Sequence, residues 1–215
     1  MNLILKYFPE LDRRQNDQFR TLLEVVPRLN TAVNVVSRKD IDGLEERHVL
    51  HSLAIAKKFA FSAGQSVVDV GTGGGFPGIP LAILFPDTRF TLVDSIAKKC
   101  RIAGEIATSL QLPNVTVVRG RIEELPLQTD YAVSRAVASL PRLAALTAHL
   151  FRKGGSMAGG LISLKGGDLK EELKNFANEA EVEAVSEWFS EPFFSSKFVV
   201  YIKKSLLLRP QIRSS

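Results

Sequence analysis

Asp69-Val70-Gly71-Thr72-Gly73-Gly74-Gly75-Phe76-Pro77-Gly78-Ile79-Pro80-Leu81 follows one short apolar run and leads into another, and Asp94 closes a second run, Phe90-Thr91-Leu92-Val93. A chain leaving a buried strand for a helix must turn sharply. Glycine alone adopts positive φ without strain and lets a ligand approach the backbone. Five glycines within the eight residues 71–78 exceed what a turn needs. Asp94 lies 19 residues beyond Gly75, where a second parallel strand places a carboxylate beside ribose hydroxyls. The stretch reads as a nucleotide-type cofactor site.

Around it the hydrophobic period changes. Before Gly64 the pattern is helical: Phe19, Leu22, Leu23 and Val26 recur at helix spacing, with Asp12 and Gln15 placed as a capping box. Pro27 is expected to end or kink that helix, a second passes Leu29 and Val33 into the polar connection 34–40, and a third starts at Asp42 as cap. After Gly64 come short β-branched runs, Val67–Val70, Phe90–Val93, Val115–Val118 and Tyr131–Ser134, separated by helical patterns over Ile79–Phe85, Ile96–Leu110 and Leu140–Phe151. A fifth strand falls within Gly160–Leu164, a helix follows over Leu169–Ala180, and Val182–Phe189 and Phe198–Lys203 suit an antiparallel pair. The expectation is an α/β protein: a helical extension over 1–62 packed on a main domain over 63–215, with a seven-stranded, mostly parallel sheet whose last strand is antiparallel.

Composition bounds the rest. The 215 residues, 45% hydrophobic, can bury one good core, and 28 Lys+Arg against 23 Asp+Glu leave a modest excess that suits a polyanionic partner or a solvated surface. Cys100 alone forms neither an intrachain disulfide nor a cysteine-cluster metal site, which fits a reducing compartment and a cytoplasmic location. Residues 1–8 are too short and mixed for a signal peptide. The longest uncharged stretch, 70–86, is broken by Gly and Pro, so no membrane segment is expected.

A phosphate-binding P-loop would need Gly-Lys-Ser/Thr after the glycines, and none is present. Gly73 to Gly78 matches the dinucleotide fingerprint literally, but the turn opens at Gly71, and in that register Phe76 occupies a position that demands Gly or Ala. Pro77 and Pro80 each also remove an N–H that a pyrophosphate would use. S-adenosylmethionine, with ribose, adenine and an amino-acid tail but no pyrophosphate, fits better. Ile122 and Glu123 in the loop after the third strand fall on the adenine side of this crevice, and Arg135 ends the fourth strand at the same edge, with a surface ion pair between Glu123 and Arg135 as the alternative.

The segments Asn34-Val35-Val36-Ser37-Arg38, His48-Val49-Leu50-His51-Ser52-Leu53, the glycine stretch with its Phe76-Pro77-Gly78-Ile79-Pro80-Leu81 continuation, Leu92-Val93-Asp94-Ser95, Arg121-Ile122-Glu123-Glu124, Ser134 to Leu140 and Leu164-Lys165-Gly166 occur in that order. In them the chain resembles the glucose-inhibited division protein B family of bacterial methyltransferases, over about residues 22–203. The resemblance implies a Rossmann-like class I methyltransferase, S-adenosylmethionine as donor, and methylation of guanine N7 in the decoding-region loop of 16S rRNA, free or within the 30S subunit or an assembly intermediate. Gly71, Phe76, Ile122, Glu123 and Arg135 match the family's cofactor contacts, and Gly73, Gly75 and Asp94 complete the set read from the residues. Arg47 stands before His48 where many relatives carry a second histidine.

Guanine N7 presents an unprotonated lone pair, so no general acid or base is assigned; alignment is the expected source of catalysis. Lys165 and Arg135 are the candidate guanine or RNA contacts. Arg13, Arg14, Arg20, Arg28, Arg38, Lys39, Arg47, Lys197, Lys203 and Lys204 are candidate phosphate contacts, each alternatively a solvated surface charge. His48 and His51 are read as packing or polar contacts and not as a metal pair, Phe76 as a cover over the cofactor, a stacking surface or a core aromatic, and the protein as a monomer. A methyltransferase for a small molecule or protein, and a non-catalytic RNA-binding relative, stand as the other readings.

Overall fold

The computed structural model describes residues 1–30, 41–151, 159–176 and 179–209. Its sheet contains β1 (Ser66–Val70), β2 (Arg89–Asp94), β3 (Val115–Arg119), β4 (Tyr131–Arg135), β5 (Gly160–Gly166), β6 (Glu181–Ala184) and β7 (Lys197–Lys203) in the order β3-β2-β1-β4-β5-β7-β6. Six strands are parallel and β7 runs against both its neighbours, β5 and β6. The order reverses beside β1, where Val70 pairs with Val93 on one side and Ser134 on the other. In an open α/β sheet that reversal leaves a crevice at the carboxyl ends of the strands.

The helices are α1 (Asn2–Tyr7), α2 (Arg13–Asn30), α3 (His51–Leu53), α4 (Gly78–Leu84), α5 (Ala97–Ser109), α6 (Leu140–Thr147), α7 (Lys170–Leu173) and α8 (Lys204–Leu207). The capping box before α2 is formed: Gln15 N–H donates to Asp12 Oδ1 (2.8 Å), and Asp12 N–H to Gln15 Oε1 (3.1 Å). Pro27 does not end α2, which runs on to Asn30. A proline inside a helix costs about 3 kcal/mol in isolation, through its missing N–H and the clash of its ring with the preceding turn. Here Phe19, Leu22, Val25 and Val26 bury the same helix in the core, and tertiary packing outweighs the local penalty.

The next helix begins at Gly43 rather than Asp42, with no side-chain cap, and winds as wide π-type turns over Leu44–Leu50 before α3 and a tight turn over Ala54–Lys57. Glu45 on these turns caps a different helix, its carboxylate accepting the N–H groups of Leu3 and Ile4 at 2.8 and 3.1 Å. The expected strand over Val182–Phe189 is only the four-residue β6, which gives way at Val185–Glu187 to a tight turn whose Val185 is buried. The connection 34–40 lies outside the described residues.

Two apolar clusters sandwich the sheet. One joins Phe19, Leu22, Leu50 and Leu53 of the amino-terminal helices to Ile79, Phe90 and Ile106; the other joins Val68, Val93, Leu143, Leu161 and Ile202. The amino-terminal helices therefore share a core with the sheet. Among the described residues no helix is long and apolar enough to cross a membrane.

Two glycines on these helices have opposite surroundings. A Cβ at Gly78, where α4 begins, would run into Leu92 and come within 2.7 Å of Asp69 Oδ2, whereas one at Gly104 in α5 meets nothing within 4 Å. We predict that Gly78→Ala lowers stability by about 1–3 kcal/mol through overpacking, and that Gly104→Ala raises it by about 0.5–1 kcal/mol. Urea midpoints of the two variants check both signs.

Candidate functional site

The crevice is built on one buried carboxylate. Asp69 Oδ2 accepts hydrogen bonds from Thr72 Oγ1 (2.6 Å) and the Gly78 N–H (2.8 Å), drawing both ends of the glycine turn onto β1. Oδ1 is buried without a partner. Burial, reinforced by the charge of Asp94, pushes the Asp69 carboxyl up to about 6, against the lowering pull of the two hydrogen bonds and of Arg135. Gly71, Gly73 and Gly75 all have positive φ, of 67°, 58° and 94°. A Cβ on Gly71 would collide with Val137, yet one on Gly73 would meet nothing within 4 Å, so open space lies against the backbone at Gly73.

Asp94 holds the other side of the turn. Its Oδ2 accepts the Gly73 N–H (3.0 Å), its Oδ1 accepts the Ile96 N–H (2.9 Å), and Lys99 Nζ stands 3.8 Å away. Each oxygen keeps a second lone pair. The carboxylate lines a lobe of about 370 Å³ together with Ile122, Glu123 and the apolar Val93, Ile96 and Val137. Ile96 and Val137 are exposed there, apolar side chains left open to solvent at the lobe.

A second lobe of about 590 Å³ adjoins it, and the two share Gly71, Lys99 and Ala136. Its side chains include Arg47, His48, His51, Arg135, Lys165 and Lys197, with Phe76 and Phe193 as aromatic walls, and no Asp or Glu among its described lining residues. Ala136 has φ +55°, the left-handed region a non-glycine residue rarely enters, at the point where the two lobes meet.

The structure brings Gly71, Gly73, Phe76, Arg135 and Lys165 to the basic lobe, and Gly71, Asp94, Ile122 and Glu123 to the smaller one. Gly75 lines neither, because its role is steric: a Cβ there would enter the Ile79 side chain. Glu123 does not pair with Arg135; it faces Arg121 at 3.7 Å. Arg135 instead reaches the helical extension, where Nη1 donates to the Arg47 carbonyl (3.1 Å) and Nη2 meets His48 Nδ1 (2.8 Å). Its guanidinium also stands 5.4 Å from the Phe76 ring centroid, against which His48 packs edge-on at 5.5 Å. Phe76 is thus 3% exposed and not an open stacking surface.

Lys165 is also less free than the sequence suggested. Its Nζ donates to the Ala138 carbonyl (2.6 Å) and Glu172 Oε2 (2.7 Å), and Glu172 Oε2 accepts the Leu140 N–H at the start of α6 (2.5 Å). The ammonium holds the 136–140 loop in place. Of the candidate phosphate contacts, Arg47 and Lys197 line the lobe, whereas Arg14 binds the Gln111 carbonyl, Arg20 pairs with Asp17 and Lys203 pairs with Glu181. Arg38 and Lys39 lie outside the described residues. Sequence reasoning gave Asp69, Lys99, Ala136 and Phe193 no role of their own. The signal for Asp69 was a carboxylate inside the run Val67-Val68-Asp69-Val70.

The strand order, the glycine turn beside the reversal point and the paired lobes define a class I methyltransferase. Solved structures agree on the fold: a SAM dependent methyltransferase from Aquifex aeolicus (TM-score 0.54, 21% identity, 77% of this chain and 97% of that one) and a precorrin-6y C5,15-methyltransferase from Geobacter metallireducens (0.55, 13%, 80% and 92%). The chain belongs to the rRNA small subunit methyltransferase G (GidB) family, whose model matches residues 15–197. It is 50% identical over 204 residues to the ribosomal RNA small subunit methyltransferase G of Bacteroides fragilis, covering 94% of this chain and 99% of the relative, and 47% identical to that of Porphyromonas gingivalis, covering 93% and 92%.

The raised Asp69 carboxyl has a stability signature. Between pH 4 and 6 the folded protein binds a proton that the unfolded chain, at the ordinary 3.8, has released, so this group's contribution falls as pH rises through that window by about 3 kcal/mol. We predict that Asp69→Asn removes this component: the stability difference, variant minus wild type, grows in the variant's favour from pH 4 to pH 6.5 in urea titrations.

Proposed function

We propose that the protein transfers the methyl group of S-adenosylmethionine to N7 of a guanine in 16S rRNA, as a monomer acting in the cytoplasm on free rRNA, the 30S subunit or an assembly intermediate. The observation that carries this reading is the pairing of two unlike lobes across Gly71 and Ala136. One has a carboxylate with spare lone pairs and apolar walls, suited to a nucleoside. The other is lined by cations and aromatics, suited to a base with its phosphates. Family membership supports the ribosomal substrate.

The residues present fit the cofactor. Space at Gly73 admits its amino-acid end along the turn, Asp94 takes ribose hydroxyls, and Ile122 with Ile96 and Val137 borders the adenine, with Glu123 beside it. When bound, S-adenosylmethionine supplies an activated methyl group on a sulfonium. Everything else is positioning by the chain. Gly71, Gly75 and Phe76 hold the turn, and Arg135 ties the end of β4 to the helical extension, so both lobes are fixed relative to each other.

Guanine N7 needs no deprotonation before attack, and the basic lobe accordingly needs no carboxylate base. Aligning N7 with the methyl carbon and its leaving group contributes up to about 7–11 kcal/mol. Cations around the lobe hold the RNA phosphates and the O6 edge of the base. Lys165 acts by fixing the 136–140 loop, through Ala138 and Glu172.

Labelled S-adenosylmethionine incubated with the protein and 30S particles from an unmethylated strain tests this directly. We expect N7-methylguanine at a single position of 16S rRNA, and no transfer to rRNA would refute the substrate assignment. Asp94→Ala removes both the ribose contact and the clamp on Gly73, and we predict at least about 10-fold weaker cofactor binding by calorimetry. Lys165→Ala is expected to leave that affinity within about threefold while lowering turnover on RNA about 10-fold or more.

A further inference from the structure

His48 belongs to the helical extension, yet its ring is bound to the edge of the sheet. Its Nδ1 stands 2.8 Å from Arg135 Nη2, and it packs edge-on to Phe76 with the ring centroids 5.5 Å apart. A guanidinium has N–H donors and no acceptor, and it stays protonated in proteins. Arg135 is therefore the donor and Nδ1 the acceptor, which makes the His48 ring neutral with its proton on Nε2. The Arg47 carbonyl, one residue earlier, accepts Arg135 Nη1 at 3.1 Å, and the Phe76 ring centroid lies 5.4 Å from the guanidinium carbon. Adjacent residues of one π-type turn thus present an acceptor to each tip of the fork, while an aromatic ring backs it.

Arg135 is held where the helical extension meets the sheet. It ends β4, precedes the left-handed Ala136, and lines the basic lobe with Lys165 and Lys197. A long arginine side chain has many rotamers, and ordering it at every turnover slows the reaction. The His48 and Arg47 acceptors order it in advance, and both are neutral, so neither cancels the charge that Arg135 brings to the lobe. Lys165 is held differently, against the carboxylate of Glu172. We infer that His48 is a positioning residue for methyl transfer: its neutral Nδ1 fixes the Arg135 guanidinium in the orientation that meets the RNA. The inference rests on the basic lobe receiving the RNA, as proposed above. A group displaced by about 1 Å costs up to about 100-fold in rate, so an acceptor acting through Arg135 controls turnover.

Two substitutions separate the acceptor from the bulk of the ring. His48→Leu keeps an apolar side chain against Phe76 and has no acceptor, whereas His48→Asn offers an amide oxygen close to where Nδ1 stands and has no ring. Single-turnover methylation of 30S particles from an unmethylated strain, at saturating S-adenosylmethionine, compares these with Arg135→Ala and with the double variant His48→Leu/Arg135→Ala. His48→Leu should slow transfer about 10- to 100-fold, while calorimetry finds its cofactor affinity within about threefold of the wild type. His48→Asn should recover at least about threefold of that loss although it removes more of the packing on Phe76, which a purely structural role for the ring would not allow. Arg135→Ala should be slowed at least as much as His48→Leu, and the double variant no more than about twofold beyond Arg135→Ala. A His48→Leu protein that binds cofactor normally and transfers methyl groups at the wild-type rate would overturn the inference. So would losses that multiply in the double variant, or a His48→Asn protein no faster than His48→Leu. An Arg135→Ala protein that transfers at the wild-type rate would overturn the RNA reading of the lobe and this inference with it; a slow Arg135→Ala beside an unimpaired His48→Leu would overturn the inference alone.

Discussion

One carboxylate oxygen organises the centre of this protein. Asp69 Oδ2, at the core of the sheet, receives both the Thr72 hydroxyl and the Gly78 N–H, so the chain between them must close into a compact turn. That closure brings α4 against β2 so tightly that the Gly78 position has no room for a methyl group beside Leu92. It also presents the Gly73 backbone to open space at the reversal of strand order, where Asp94 grips it from the neighbouring strand. A buried carboxylate with one oxygen unpaired is expensive, and the strain of its raised proton affinity is tolerated where the turn geometry over-determines it.

Charge is then sorted around that turn. On the side of β2 and β3 the acids Asp94 and Glu123 stand among Lys99, Arg121 and Arg142, while the other lobe gathers cations from the helical extension, β4, β5 and β7 with no described acid among its lining. Cations gathered without counter-charges repel, and the structure limits the cost by giving them other partners: Lys165 meets Glu172, and Arg135 meets a carbonyl, a histidine and the face of Phe76. The Arg135 contacts also join the amino-terminal helices to the edge of the sheet that carries the crevice. The extension is part of the site, and its π-type turns over Leu44–Leu50 carry Arg47 and His48 to it, with His51 just beyond.

Most of the fold was legible because its signals are local. The β-branched runs, the switch of period after Gly64 and the capping box at Asp12 each sit within a few residues, and β1 to β5 and β7 appear where those patterns put them. Pro27 and the run 182–189 misled for the opposite reason: burial of α2 overrides a local breaker, and Val185 turns inward where strand periodicity would have continued. At the site, motif positions such as Gly71, Asp94 and Arg135 could be read from their places at strand ends. Which partner each chooses could not, since Glu172 reaches Lys165 and Arg47 reaches Arg135 only through tertiary packing. Phe193 gave no sequence signal of its own, being one of the adjacent pair Phe193-Phe194 in the short turn Pro192–Ser196. His51 could be named but not placed, because its burial against Phe193 and Phe194 emerges only from tertiary packing.

The central claim is that adenosine and the target base have separate lobes, with only the amino-acid end of the cofactor reaching along Gly71 to Gly73 at the edge of the basic lobe. A crystal structure of the protein with S-adenosylhomocysteine tests it most directly. The account predicts the adenosine between Asp94 and Ile122, the amino-acid end along Gly71 to Gly73, and the lobe around His51 and Lys197 left uncovered. Adenosine seated instead against His51 and Lys197, with the Asp94 lobe empty, would contradict it.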